Sequence, residues 1–176
     1  MNIKTHLSKA SSRKIWDEVV GYVGDDKARF EELISLFFGK DIRLIQRVSQ
    51  PIGIISEKYP QLIAPYLERL VSNLESNPID AVKRNTMRIF QYNEIPEEIE
   101  GRLFEIGMNY LKSAEEAIAI KAFSMTVLRK ICEKYPELTQ EVIFILEILL
   151  KEKISGGITS RGKKELKKLN KIKNAL

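Results

Sequence analysis

Glu57-Lys58-Tyr59-Pro60 and Glu133-Lys134-Tyr135-Pro136 are the same four residues met twice, 76 positions apart. Each copy follows one apolar-periodic segment and precedes another, and Ile95-Pro96 stands near the midpoint between them. The interval therefore divides into two periods of 38, the length of a helical-hairpin unit repeated along a chain. Proline in the first turn of a helix lacks only a donor that the helix start leaves unpaired anyway. The three prolines thus predict three equivalent helix starts.

Outward from these junctions the apolar residues keep helical spacing. Leu62, Ile63, Tyr66, Leu67, Leu70, Val71 and Leu74 form one wide stripe. Phe30, Leu33, Ile34, Phe37 and Phe38 repeat it upstream, and Ile42, Ile45, Val48, Ile52 and Ile55 fill the segment between. Alternation by two, which strands require, is missing.

The remaining junctions share a short polar turn, an acid, then an apolar and a basic residue. They are Asn77-Pro78-Ile79-Asp80-Ala81-Val82-Lys83-Arg84, Gly39-Lys40-Asp41-Ile42-Arg43 and Ser113-Ala114-Glu115-Glu116-Ala117-Ile118, the last without its basic residue until Lys121. This pattern resembles the turn inside a HEAT repeat, over roughly positions 25–152. The resemblance implies an all-α fold, a right-handed α-solenoid of about four hairpins. Outer helices are expected near 26–38, 61–75, 97–111 and 137–151, and inner helices near 11–23, 41–58, 80–93 and 115–134. Pro51, followed by Gly53, is expected to kink or break the second inner helix.

Residues 1–152 read as the repeat domain and 153–176 as a basic C-terminal extension. Val142–Leu150 is apolar nearly all round, unlike the outer face of a terminal helix, and so needs a cover. Leu166, Leu169, Ile172 and Leu176 would supply one if 161–174 forms a final amphipathic helix; otherwise a second subunit would, as a homodimer.

The composition, 44% apolar and 30% charged over 176 residues, fits one well-solvated domain. No signal peptide follows Met1, and no apolar run is long enough to cross a membrane, so the expected location is cytoplasmic. A lone cysteine, Cys132, and a lone histidine, His6 in a segment expected to fray, make neither an internal disulfide nor a metal cluster. No cofactor or metal is expected. Gly157-Ile158-Thr159-Ser160-Arg161-Gly162-Lys163-Lys164 matches a phosphate-binding loop until Lys164, which replaces the magnesium-holding hydroxyl. Only twelve residues follow, too few for a nucleotide-binding sheet. Glu97, Glu98 and Glu100 lie in a first helical turn, where negative charge favours the dipole. Nothing here reads as an enzyme.

Charge is the one functional signal. Residues 151–176 carry +7 and residues 1–150 carry −2. The four inner segments are each net basic and the four outer segments each net acidic. In HEAT-like stacks the inner helices line the concave face, so the resemblance implies an anion-facing row of Arg43, Arg47, Lys83, Arg84, Arg88 and Lys121. Such residues also serve in these folds as a structural ladder to acids such as Asp41, Asp80 and Glu116. The expected function is a non-enzymatic scaffold for a protein or peptide with an acidic surface. The alternative is a nucleic-acid binder using that row and the tail residues Arg161, Lys163, Lys164, Lys167, Lys168 and Lys171. HEAT-like DNA glycosylases share the architecture, but their catalytic Asp and aromatic pair have no counterpart in this sequence, and no repair activity is implied.

Overall fold

The computed structural model describes residues 1–76, 78–152 and 155–175, and among them every regular element is helical. They form two compact units, Met1–Glu94 and Ile95–Leu176.

The first unit contains α1 (Ile3–Lys9), α2 (Arg13–Val23), α3 (Lys27–Phe37), α4 (Ile42–Lys58), α5 (Pro60–Ile63), α6 (Leu67–Glu75) and α7 (Asp80–Tyr92). Helix α4 is its hub and touches α1, α2, α3, α5 and α7. Its start is set by Asp41, whose carboxylate accepts the Leu44 amide at 3.1 Å. Phe30, Phe37, Ile52, Leu70, Met87 and Phe90 close the core around it.

Two prolines behave differently from each other. Of the expected kink or break at Pro51, the break does not occur: α4 is a continuous helix through it. Pro51 is buried in the hub, where packing on both sides holds the helix despite the lost donor. Pro65 is exposed, and there the single helix expected over 61–75 is interrupted by a 3-10 turn at Ala64–Tyr66. Its missing N–H and its ring end α5, and α6 restarts beyond.

The expected fraying of the N-terminus is also corrected. Seven residues are too few for a stable isolated helix, yet α1 forms because Ile3 and Leu7 are fully buried. Arg47 of α4 donates to the carbonyls of Leu7 at 2.9 Å and Ser8 at 2.6 Å, satisfying the last turn of α1. His6 Nε2 lies 2.6 Å from the Glu18 carboxylate on α2.

The second unit contains α8 (Glu97–Lys112), α9 (Ile118–Lys134), a 3-10 turn (Pro136–Leu138), α10 (Thr139–Lys151) and α11 (Gly156–Lys173). Here α9 is the hub, against α8, α10 and α11. Pro60 and Pro136 open their elements as the sequence predicts, whereas Pro96 sits one place earlier, as the N-cap of α8. Ser155 caps α11 through the Ile158 amide at 3.2 Å. Leu169 of α11 is fully buried and Leu166 and Ile172 are half-buried, so this helix covers one side of α10; Leu176 lies outside the described residues. Gly162 permits the approach, since a Cβ there would meet Leu150 Cδ2 at 3.0 Å.

The period is sharper in the helix starts than in the tetrapeptides. Helices α4, α7, α9 and α11 begin at 42, 80, 118 and 156, each 38 after the last, and α1 begins 39 before α4. Long-range polar ties keep the same interval. Arg47 reaches back 40 and 39 residues, Arg88 donates to Gln50 across 38, and Lys134 donates to the Ile95 carbonyl across 39. Glu165 of α11, 2% exposed, accepts from Thr126 and Arg129 of α9 at 2.9 and 3.1 Å. Other buried polar side chains serve their own helix instead. Ser49, Asn85, Asn93 and Ser124 each donate to the carbonyl four residues back.

Two outcomes follow. Glu165→Ala strips the largely covered Arg129 of one partner and should lower unfolding free energy by about 2–3 kcal/mol in urea titration, whereas Lys168→Ala, at a half-buried site open to water, should stay within about 0.5 kcal/mol. Arg47→Ala should cost about 1–2 kcal/mol, with amide exchange speeding up selectively in Ile3–Lys9.

Candidate functional site

The basic residues singled out in the sequence divide by what they touch. In the first unit, Arg47 caps α1 and Arg88 is clamped between α4 and α7. The Arg88 guanidinium donates to Gln50 at 2.8 Å, lies 3.8 Å from Glu57, and passes over Gly53, where a Cβ would stand 3.4 Å from Nη1. Lys83 is buried, 7% exposed, on α7. Arg43 is exposed in the first turn of α4, and Arg84 is half-exposed on α7; neither has a hydrogen-bond or ion-pair partner among the described residues. In the second unit, Lys121 is 4% exposed near the start of α9.

The C-terminal residues divide in the same way. Arg161 turns inward and donates to Thr126 Oγ1 at 2.7 Å, with its guanidinium 6.0 Å from the Phe123 ring centre. Lys163, Lys164, Lys167 and Lys171 are exposed at i, i+1, i+4 and i+8, one face of α11. Lys168 is half-buried, 3.9 Å from Glu165. The segment that mimics a phosphate loop, Gly157–Lys164, is helical throughout. From Thr159 onward its amides are taken by helix bonds and that of Ile158 by Ser155 Oγ, so the segment does not wrap a phosphate as a loop would.

Some groups stand differently from their sequence reading. Glu100 is in the first turn of α8 as expected, but it is 2% exposed and holds the Lys134 ammonium. The Tyr135 phenol, hydrogen-bonded to Glu100, has its pKa raised. Burial pushes the Cys132 thiol up to about 11, which disfavours the thiolate at neutral pH. Among the described residues no His, Cys, Asp or Glu group is placed to hold a metal ion, and no helix is long and apolar enough to cross a membrane.

A feature the sequence reading missed lies in the second unit. A cleft of about 450 Å³ opens between the end of α8, the start of α9 and the last turns of α10. Leu111, Ile118, Ile145, Ile148 and Leu149 wall it, and Lys121 and Glu152 face it. Ile118 and Ile148 are 45% and 38% exposed, and Phe144, one turn before Ile148, is 58% exposed. The sequence did carry a signal: Val142–Leu150 has more apolar residues than one buried face needs, and α11 covers only one side. Ile118 gave none, because it occupies the place that a turn motif assigns to a buried residue.

The model of the HEAT repeat domain family matches residues 3–169, through both units and into α11. No curated protein and no solved structure matches the chain. Helices restarting every 38 residues, several cross-helix ties at close to that interval and a family match spanning nearly the whole sequence agree, and the chain belongs to the HEAT repeat domain family.

Proposed function

We propose that the chain is a non-enzymatic scaffold that binds a protein partner with an acidic surface through basic residues of its inner helices. HEAT repeats are in general protein-interaction scaffolds, which supports the class of function. The basic face is supported by one observation. Within the first unit Arg43 and Arg84 stand at the surface with no internal partner among the described residues, although Arg47 and Arg88 of the same row are engaged inside the fold. A guanidinium left in water keeps its forked donors for a carboxylate brought by another molecule. In this reading residues 1–152 carry the repeat surfaces and 153–176 add basic charge beside them.

A second reading, nucleic-acid binding, draws on the lysine face of α11. Four ammonium groups along one helical face fit a phosphate backbone without reading its bases.

A salt titration with fluorescent duplex and single-stranded DNA and RNA separates the two. For a protein scaffold, binding should be weak, insensitive to sequence and gone by about 0.15 M salt. It should vanish when Lys163, Lys164 and Lys167 are changed to Gln, and survive Arg43→Glu with Arg84→Glu. Binding that persists at that salt and is lost with the two arginine changes would move nucleic acid ahead of protein as the partner.

A further inference from the structure

The cleft in the second unit has apolar walls and one unanswered charge. Lys121 is 96% buried by its 4% exposure, faces the cleft, and has no hydrogen-bond or ion-pair partner among the described residues. Its neighbours are treated otherwise: Lys112, also lining the cleft, lies 3.4 Å from Glu141, and Lys134 and Arg129 are paired with Glu100 and Glu165. The Lys121 stem is buried while its ammonium, without an internal acceptor among the described residues, opens onto a hollow large enough for two or three side chains. Beside it, Ile118, Ile148 and Phe144 leave a large apolar area in water.

Resting on the scaffold reading above, we infer that this cleft is a peptide-docking site. Its occupant is a segment of a protein partner that carries one carboxylate among branched or aromatic side chains. The carboxylate pairs with Lys121 while the apolar side chains cover Ile118, Ile148 and Phe144. Glu116 and Glu152 also face the cleft. They repel a polyanion but tolerate a single negative charge seated on Lys121, so the site selects an apolar acidic peptide and rejects a phosphate backbone. The observations favour a peptide segment because the cleft, about 450 Å³, admits only two or three side chains beside one lysine without an internal acceptor among the described residues.

The test is selection of a displayed dodecapeptide library on the full chain, followed by anisotropy of the enriched peptides labelled with a fluorophore. Enriched sequences should share an Asp or Glu flanked by apolar residues. Their affinity should fall about tenfold or more with Lys121→Met, which keeps the buried stem and removes the charge, and with Ile148→Asp. Circular dichroism should show both variants folded. Enriched peptides without an acid, affinity unmoved by Lys121→Met, or no enrichment over the Lys121→Met chain would each overturn the site. If binding survives both changes and is lost with Arg43→Glu and Arg84→Glu, the scaffold reading stands and the cleft is abandoned. A dimer seen by light scattering that Ile148→Asp dissolves and Lys121→Met leaves intact would assign the apolar face to a second copy instead.

Discussion

A hairpin of two amphipathic helices cannot cover both of its apolar faces, and this constraint governs each unit of the chain. Helix α4 meets it by touching five other helices, and α9 by gathering α8, α10 and α11. Most apolar residues of these two hubs are buried in those contacts, and in α4 that packing holds a proline in the helix interior. Elements at the margin of a unit depend on the hub more than on their own propensity. The seven residues of α1 are helical because Ile3 and Leu7 have somewhere to go, and α11 keeps Leu169 and Glu165 inside for the same reason.

Polar groups then fix what burial leaves free. Apolar contact has no direction of its own, whereas a guanidinium or carboxylate bonded across one repeat accepts only a narrow geometry. Arg47 on the end of α1, Arg88 on Gln50 and Glu165 between Thr126 and Arg129 each set a register. The basic residues that a sequence scan marks as a single row therefore do unlike things. Arg47 and Arg88 hold neighbouring helices, Lys83 is buried, Arg43 and Arg84 stand at the surface without partners among the described residues, and Lys121 faces a hollow.

Much of the fold was legible because periodicity and punctuation act locally. The two Glu-Lys-Tyr-Pro junctions and the stripe from Leu62 to Leu74 located the helices to within a few residues. What failed depended on surroundings. Pro51 and Pro65 are the same residue, and only burial in a hub or exposure at a margin decides which one ends a helix. Helix α1 is too short for its own pattern to declare it. The candidate sites were legible only as residue types: nothing in the neighbourhood of Arg47 announces that its acceptors lie forty residues upstream. Lys121, in the same way, reads as one more lysine until the ends of α8 and α10 wall a cleft that it faces.

Ser49, Asn85, Asn93 and Ser124 return their hydrogen bonds to their own helices. Each of these side chains spends a donor within its own helix, so the directional bonds between helices come from other residues, among them Arg47, Arg88 and Arg129. Between those points the helices meet through close-packed apolar side chains, which resist a slide by interlocking and not by direction. Editing one such tie therefore changes where a unit is held in register while its core is left alone.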